Sequence, residues 1–436
     1  MKLAEFARRR RQLMRLMGEN SIAILPAAPE RRRNRDVFYP YRQDSDFYYV
    51  TGFDEPRSVA VLVPGRAGGE FILFCRDRDP ERETWDGRRA GQEGAVERYG
   101  ADDAFGIDDL NDILPGLMEQ RERVFYTMGA RPKFDQRVIG WMNDLRARGQ
   151  SSKQQAPQEI VALDHLLHDM RLFKSRAELV IMRRAAKVAT AAHRRAMRAC
   201  RPGMNEGELE AELQYEFRRS GATWSYPPIV GGGENGCILH YTENKAPLRD
   251  GDLVLIDAGC ELEYYASDLT RTFPVNGSFS KEQKALYDVV VDAHHAAIEA
   301  CVVGHHWNQP HEAAVRELTA GLIRCKLIDV PLRKALANES YKRFYMHRTS
   351  HWLGMDVHDV GDYRVGEAWR ELEPGMVLTI EPGLYIAPQT KGVDRKWWGI
   401  GIRVEDDVAI ARRGPDVLSK HLPSSSSAIE NEMANA

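Results

Sequence analysis

Five residues in the second half of the chain have the types and settings of a metal site: Asp257, Asp268, His351, Glu381 and Glu405. Asp257 closes the apolar run Leu253-Val-Leu-Ile and is followed by Ala258 and Gly259. Asp268 opens Asp-Leu-Thr-Arg-Thr-Phe, and His351 lies in His-Arg-Thr-Ser-His-Trp-Leu-Gly. Glu381 closes Met376-Val-Leu-Thr-Ile ahead of Pro382 and Gly383, and Glu405 sits in Gly-Ile-Arg-Val-Glu-Asp-Asp. An ionised carboxylate at the end of an apolar strand is costly unless it is paired or bound to a cation. Four carboxylates and one imidazole favour manganese, magnesium or cobalt over a thiolate-rich zinc site. Two such ions, about 3.5–4 Å apart, can share carboxylates and a hydroxide, an arrangement suited to hydrolysis.

The surrounding pattern says how these side chains could be positioned. Period-2 alternation puts Asp268, Thr270 and Thr272 on one strand face, and likewise Arg403 and Glu405, with Ile402 and Val404 on the other. Two such strands side by side would bring Asp268 and Glu405 together. The chain also echoes itself: Leu248-Arg-Asp-Gly-Asp-Leu-Val-Leu-Ile-Asp-Ala-Gly matches Leu372-Glu-Pro-Gly-Met-Val-Leu-Thr-Ile-Glu-Pro-Gly. In both, a turn glycine (Gly251, Gly375) precedes an apolar strand that ends on a carboxylate. Two similar halves, each presenting an acid, would form a pseudo-symmetric site between them. His240, His347 and His358 flank the presumed ligands. His347 and His351 stand at i, i+4, but such a pair needs a helix, and the Gly354 region reads as strand or loop, so His351 alone is taken as a ligand.

At 436 residues the chain is long enough for two domains. Its composition, 43% hydrophobic and 29% charged, is that of a soluble globular protein. A net charge of −3 gives no overall field directed at nucleic acid or an anionic membrane. The runs Arg8–Arg11 and Arg31–Arg33 read as solvated faces. Six scattered cysteines without a CxxC pair fit a reducing compartment. No apolar stretch reaches signal-peptide or membrane-span character, so a cytoplasmic enzyme is expected.

Leu3, Phe6, Leu13, Leu16 and Met17 predict an amphipathic helix, and Ser21–Leu25, Ser58–Val63 and Glu70–Phe74 predict strands. A mixed α/β domain is expected over 1–172, with a polar loop at Gly149–Gln158. Ser175 with Glu178 forms a capping-box pattern that opens a long helix to about Cys200, and a second helix follows Asn205. The metal domain is expected over 173–423, and the polar residues 424–436 are expected to be disordered.

Six segments together resemble the bacterial Xaa-Pro aminopeptidase (aminopeptidase P) family: Ile229 to Tyr241 (Ile-Val-Gly-Gly-Gly-Glu-Asn-Gly-Cys-Ile-Leu-His-Tyr), Asp257-Ala-Gly, Asp268-Leu-Thr-Arg-Thr-Phe-Pro, His347 to Asp359, Pro374 to Tyr385 and Gly401 to Asp407. The resemblance extends to Asp44-Ser-Asp-Phe-Tyr-Tyr-Val-Thr-Gly-Phe and Trp85-Asp-Gly-Arg-Arg. It implies a creatinase-like N-terminal α/β domain and a pita-bread catalytic domain with pseudo-twofold symmetry, holding two divalent ions, Mn(II) in the family. It makes Asp257 and Asp268 ligands of one ion, His351 and Glu381 ligands of the other, and Asp268 and Glu405 the bridges. It implies Glu381 as the proton acceptor, His240 and His358 around the scissile bond, and His347, Arg403 and Tyr385 near substrate. The implied reaction removes the N-terminal residue from peptides with proline second. Prolidase, which cuts Xaa-Pro dipeptides, shares every ligand and is the alternative. A non-catalytic pita-bread module is disfavoured because all five ligand positions are filled. The family's tryptophan matching Trp85 reaches a neighbouring subunit's site, implying a homo-oligomer, a tetramer or a dimer.

Overall fold

Strands of three to six residues alternate with helices through the first 170 residues, and six of them join in one mixed sheet. The computed structural model describes residues 1–149 and 155–435, and the chain divides into two units, Met1–Met170 and Arg171–Ala436. Half of the polar stretch read as a loop, residues 150–154, lies outside the described residues. The first unit's sheet runs in the order Asp103–Gly106, Phe71–Cys75, Val59–Leu62, Ser21–Pro26, Arg123–Phe125, Glu159–Val161. Ser21–Pro26 pairs antiparallel with Val59–Leu62 and parallel with Arg123–Phe125. Ile22, Ile24, Val61, Ile72 and Phe74 pack there against Leu114 and Trp141.

The helix Leu3–Met17 buries Phe6, Leu13 and Met17, whereas Leu3 and Leu16 stay exposed. The arginine run on it is a solvated face only in part, at Arg11 and, half-buried, Arg8. Arg9 and Arg10 are buried, donate to the carbonyls of Tyr49 and Val50, and lie over the rings of Tyr49 and Phe71. An aromatic face and a main-chain carbonyl together satisfy a guanidinium that composition alone assigns to water. Arg31–Arg33 do remain exposed, at a small hairpin.

In the second unit, both helix starts are capping boxes: Ser175 with Glu178 opens Arg176–Ala199, and Asn205 with Glu208 opens Glu206–Arg219. Five small sheets follow among the described residues, and three of them frame the acids. Leu253–Asp257 lies between Ile229–Gly232 and Thr270–Pro274, and Asp406–Ala411 lies between Val377–Ile380 and Gly414–Val417. Gly383–Ile386 pairs with Ile400–Arg403. The echoed turn glycines both have left-handed backbones, Gly251 at φ +84° and Gly375 at φ +100°, which favours glycine there. The strands after them, Leu253–Ile256 and Val377–Ile380, are buried throughout, as their unbroken apolar runs require.

The chain end departs from expectation. Residues Ser426–Ala434 form a helix, with Ile429 fully buried and the Glu432 carboxylate accepting from Arg194. The serines that read as a disordered run are instead a cap and two anchors. Ser425 Oγ accepts from Ala428 N, Ser426 Oγ donates to Asp288, and the Ser424 carbonyl accepts from Tyr287.

Candidate metal centre

The acids converge because strand ends meet at one point. Asp257 ends its strand opposite Thr270, and Asp268 lies two residues ahead of the strand Thr270–Pro274. Glu405 follows the strand Ile400–Arg403 and joins Thr270 by a single β-bridge, its N–H donating to the Thr270 carbonyl at 3.0 Å. The expected ladder between these two strands is therefore one bridge supplemented by side chains. Thr270 Oγ1 donates to Glu405 Oε2 at 2.6 Å, and Thr272 Oγ1 both donates to the Arg403 carbonyl and accepts from its N–H. The His351 loop is laid along the other half of the echo: Thr379 N–H donates to the His351 carbonyl and Glu381 N–H to the Thr349 carbonyl. His347 and His351 sit in irregular chain, so their i, i+4 spacing makes no pair.

Asp268, His351 and Glu405 each offer a ligand atom, all within 4.8 Å of one another and buried. His351 Nε2 lies 3.4 Å from Asp268 Oδ2 and 3.7 Å from Glu381 Oε1. Its Nδ1 is 2.9 Å from the Trp352 carbonyl, an acceptor only, so Nδ1 carries the hydrogen and Nε2 faces the acids. Asp257 stands at the rim of this group, bound by Arg403 Nη2 at 2.5 Å.

Burial pushes the carboxyls of Asp257, Glu381 and Glu405 up, Glu381 to about 7 and Glu405 well above the ordinary range, and their mutual repulsion adds to it. Burial raises Asp268 too, but the hydrogen bond and charge of His351 outweigh it and leave Asp268 lowered. Burial would depress His351, yet the Asp268 hydrogen bond and the Glu381 charge lift it to about 9. Among the described residues, Arg403 and His351 are the cations whose charge bears on Glu381. The Tyr226 hydroxyl, with one hydrogen to give, stands against both Asp257 Oδ1 and Asp268 Oδ1. A pocket this deficient in positive charge fits divalent cations, and its oxygen-rich donor set suits a hard or borderline ion.

The remaining residues singled out in the sequence fall in two places. Tyr385 Oη accepts from Arg403 Nη1 at 2.9 Å and lies 2.8 Å from His347 Nε2, while His347 Nδ1 lies 3.6 Å from Glu381. His358 is exposed and stacks on His351, ring centroids 4.1 Å apart. His240 is exposed, and its charge bears on both His347 and His358. Trp85 belongs to the first unit, on the short helix Pro80–Asp86, and is 85% exposed. Sequence reading passed over Tyr226, Thr349 and Asp407. Asp407 accepts from the Asp268 N–H, and Thr349 Oγ1 meets His311 Nδ1 and the Tyr345 hydroxyl. Asp407 had a visible signal, a third acid in Val-Glu-Asp-Asp; a coil tyrosine ahead of Pro227 had none.

Comparison with known proteins agrees with this geometry. Residues 180–412 match the model of metallopeptidase family M24, and residues 6–126 match the aminopeptidase P N-terminal domain. The chain belongs to metallopeptidase family M24. Its two units are accordingly an aminopeptidase P N-terminal domain and an M24 pita-bread domain. This M24 chain is 44% identical to the Xaa-Pro aminopeptidase of Escherichia coli over 434 residues, 99% of this chain and 98% of that one. It is 34% identical to human Xaa-Pro aminopeptidase 3, covering 99% of this chain and 86% of the relative. Among solved structures, the aminopeptidase PepP of Pseudomonas aeruginosa superposes with a TM-score of 0.99 at 58% identity, over 100% and 98% of the two chains. Aminopeptidase P from E. coli with the inhibitor Pro-Leu superposes at 0.96 with 43% identity, over 100% and 99%. Among the described residues, no helix is long and apolar enough to cross a membrane.

Proposed function

We propose that this protein is an Xaa-Pro aminopeptidase, releasing the first residue from peptides whose second residue is proline. The observation that carries it is the acid cluster of Asp257, Asp268, Glu381 and Glu405 with His351, in a chain matching an Xaa-Pro aminopeptidase over 98% of that relative's length. Asp257 and Asp268 would hold one divalent ion, His351 and Glu381 a second, with Asp268 and Glu405 between them; Mn(II) suits the donors. Bound there, the ions supply Lewis acidity that polarises a carbonyl and makes water acidic enough to react near neutral pH.

The protein's own groups account for the proton path and the positioning. Glu381, which lies beside both His351 and His347, takes the proton that the attacking water releases and returns it to the departing proline nitrogen. That nitrogen carries no hydrogen in the peptide, so the site must protonate it rather than grip an N–H. His358, anchored by its stack on His351, and His240 face the scissile carbonyl and donate to the oxygen as it gains charge. Arg403 orients Asp257 and Tyr385 together, and the Tyr385 hydroxyl holds His347 beside Glu381. Burial depresses the His347 imidazole to about 3, so it stays neutral and serves as a hydrogen-bonding wall toward substrate.

A cytoplasmic setting and a homo-oligomer, tetramer or dimer, belong to the same reading. Six free cysteines support the first, and Trp85, a large apolar face left 85% exposed, supports the second. Light scattering with tripeptide kinetics of Trp85→Ala checks the assembly; a fully active monomer would contradict it. The substrate assay compares Xaa-Pro-Yaa tripeptides, Xaa-Ala-Yaa tripeptides and Xaa-Pro dipeptides on metal-loaded enzyme. The expected result is cleavage of the first set and poor turnover of the second. Turnover of dipeptides alone would make the protein a prolidase instead.

A further inference from the structure

Arg271 lies on the strand after Asp268, facing away from Thr270 and Thr272, and is fully buried. Every nitrogen of its guanidinium has an acceptor. Nη1 donates to the main-chain carbonyls of Glu405 at 2.6 Å and Thr270 at 2.9 Å. Nη2 donates to both Asp406 oxygens at 3.0 Å and to the Leu422 carbonyl at 3.2 Å. Nε donates to the Pro423 carbonyl at 2.6 Å. One side chain thus joins the main chain of a candidate ligand to the start of the C-terminal segment.

Glu405 needs such a hold. It lies in the short gap between the strands Ile400–Arg403 and Asp406–Ala411 and is itself joined by a single bridge, to Thr270. The C-terminal segment is in turn fixed at independent points: Ser419 Oγ donates to Asp406, Tyr287 Oη to the Ser424 carbonyl, and Ile429 is seated in the core. Arg271 therefore has a rigid wall behind it and the Glu405 carbonyl in front.

We propose that Arg271 is a positioning residue of the metal centre, and that residues 418–434 form the centre's back wall by fixing it. The inference rests on Glu405 being a metal ligand. Its test is Mn(II) titration of the apoprotein by calorimetry, beside near-UV circular dichroism and the apoprotein Tm. Arg271→Lys keeps a cation opposite Asp406 but cannot reach the Glu405, Leu422 and Pro423 carbonyls together. Mn(II) affinity should fall about 10–100-fold in the folded variant, the usual effect of losing a group that orients a ligand. Ile429→Asp unseats the terminal helix without touching the centre and should weaken Mn(II) in the same direction; if Arg271→Lys does not fold, this variant decides. A brick of the fold and nothing more would lower the apoprotein Tm and leave Mn(II) affinity unchanged, and that result overturns the proposal. Glu405→Gln separates the two readings: weakened Mn(II) there with wild-type affinity in Arg271→Lys and Ile429→Asp sinks the positioning role alone. Wild-type affinity in Glu405→Gln sinks the ligand assignment beneath it.

Discussion

Glu405 and Asp406 are neighbours in sequence and equally inaccessible, at 2% and 4% exposure, yet their surroundings treat them oppositely. Asp406 accepts from Arg271 Nη2 at both oxygens and from the Ser419 hydroxyl, and His294 Nε2 lies 3.1 Å away. Burial raises its carboxyl, but Arg271 and His294 outweigh that and hold it at about 2. Glu405 receives the Thr270 hydroxyl and otherwise faces Asp268, Glu381 and Asp257, so burial and repulsion together drive it far above the ordinary range. A buried acid with its cation built in is part of the fold. A buried acid left among acids is kept for a cation that comes from outside.

The largest effect that would break this comparison is on activity. Glu405→Gln should abolish peptide hydrolysis and remove bound metal together, read by elemental analysis and tripeptide turnover. A fully active variant with two ions would erase the distinction. His358→Ala comes next. It should keep both ions while kcat falls about 10²–10⁴-fold, the span for a lost proton-transfer or oxyanion group; loss of metal would instead make His358 a ligand. Asp406→Asn is expected to act on stability, costing about 3–5 kcal/mol because it leaves Arg271 buried without its partner. Chemical denaturation of the apoprotein measures it, and a change near zero would make the Arg271–Asp406 pair incidental.

The smallest and most discriminating effect is on pH. Asp406, lowered in the fold from 3.8 to about 2, contributes stability above its unfolded value that is lost as pH falls through 2. Glu381 is raised from 4.5 to about 7, so the apoprotein loses stability as pH climbs through that window. His351, raised from 6.5 to about 9, contributes stability present below 6.5 and lost as pH rises through 9. Above pH 7, where the depressed imidazoles of His193, His311 and His347 are neutral in both states, the apoprotein Tm should therefore decline by several degrees up to pH 9 and stay level once Mn(II) is added. An apoprotein Tm that rises toward pH 9 would contradict the uncompensated-acid account.

Asp257 and Glu381 were legible as candidates because each closes an apolar run with an acid, and Asp268 and Glu405 because strand alternation puts them on polar faces; the doubled turn–strand–acid unit suggested where Asp257 and Glu381 would meet. What escaped the sequence was whatever depends on a distant partner. Arg9 and Arg10 read as solvent-facing because nothing local reveals the Tyr49 and Val50 carbonyls forty residues away that accept from them. The terminal serines read as disorder because a cap and a linker have the same composition, and only the docking of Ile429 separates them. Arg271 lay inside Asp-Leu-Thr-Arg-Thr on the face opposite the acids, where alternation gives its direction but not the carbonyls waiting there. Tyr226 reaches Asp257 and Asp268 from irregular chain, which carries no periodicity to read.

Metal assignment is tested most directly by titrating Mn(II) into the apoprotein at pH 7 by calorimetry in buffers of different ionisation enthalpy. Acids held above their ordinary values and a His351 held near 9 carry protons that ligands cannot keep. Two ions per chain should bind, with net proton release and a binding enthalpy that changes with the buffer. Absence of saturable binding, or binding whose heat is the same in every buffer, would contradict the assignment.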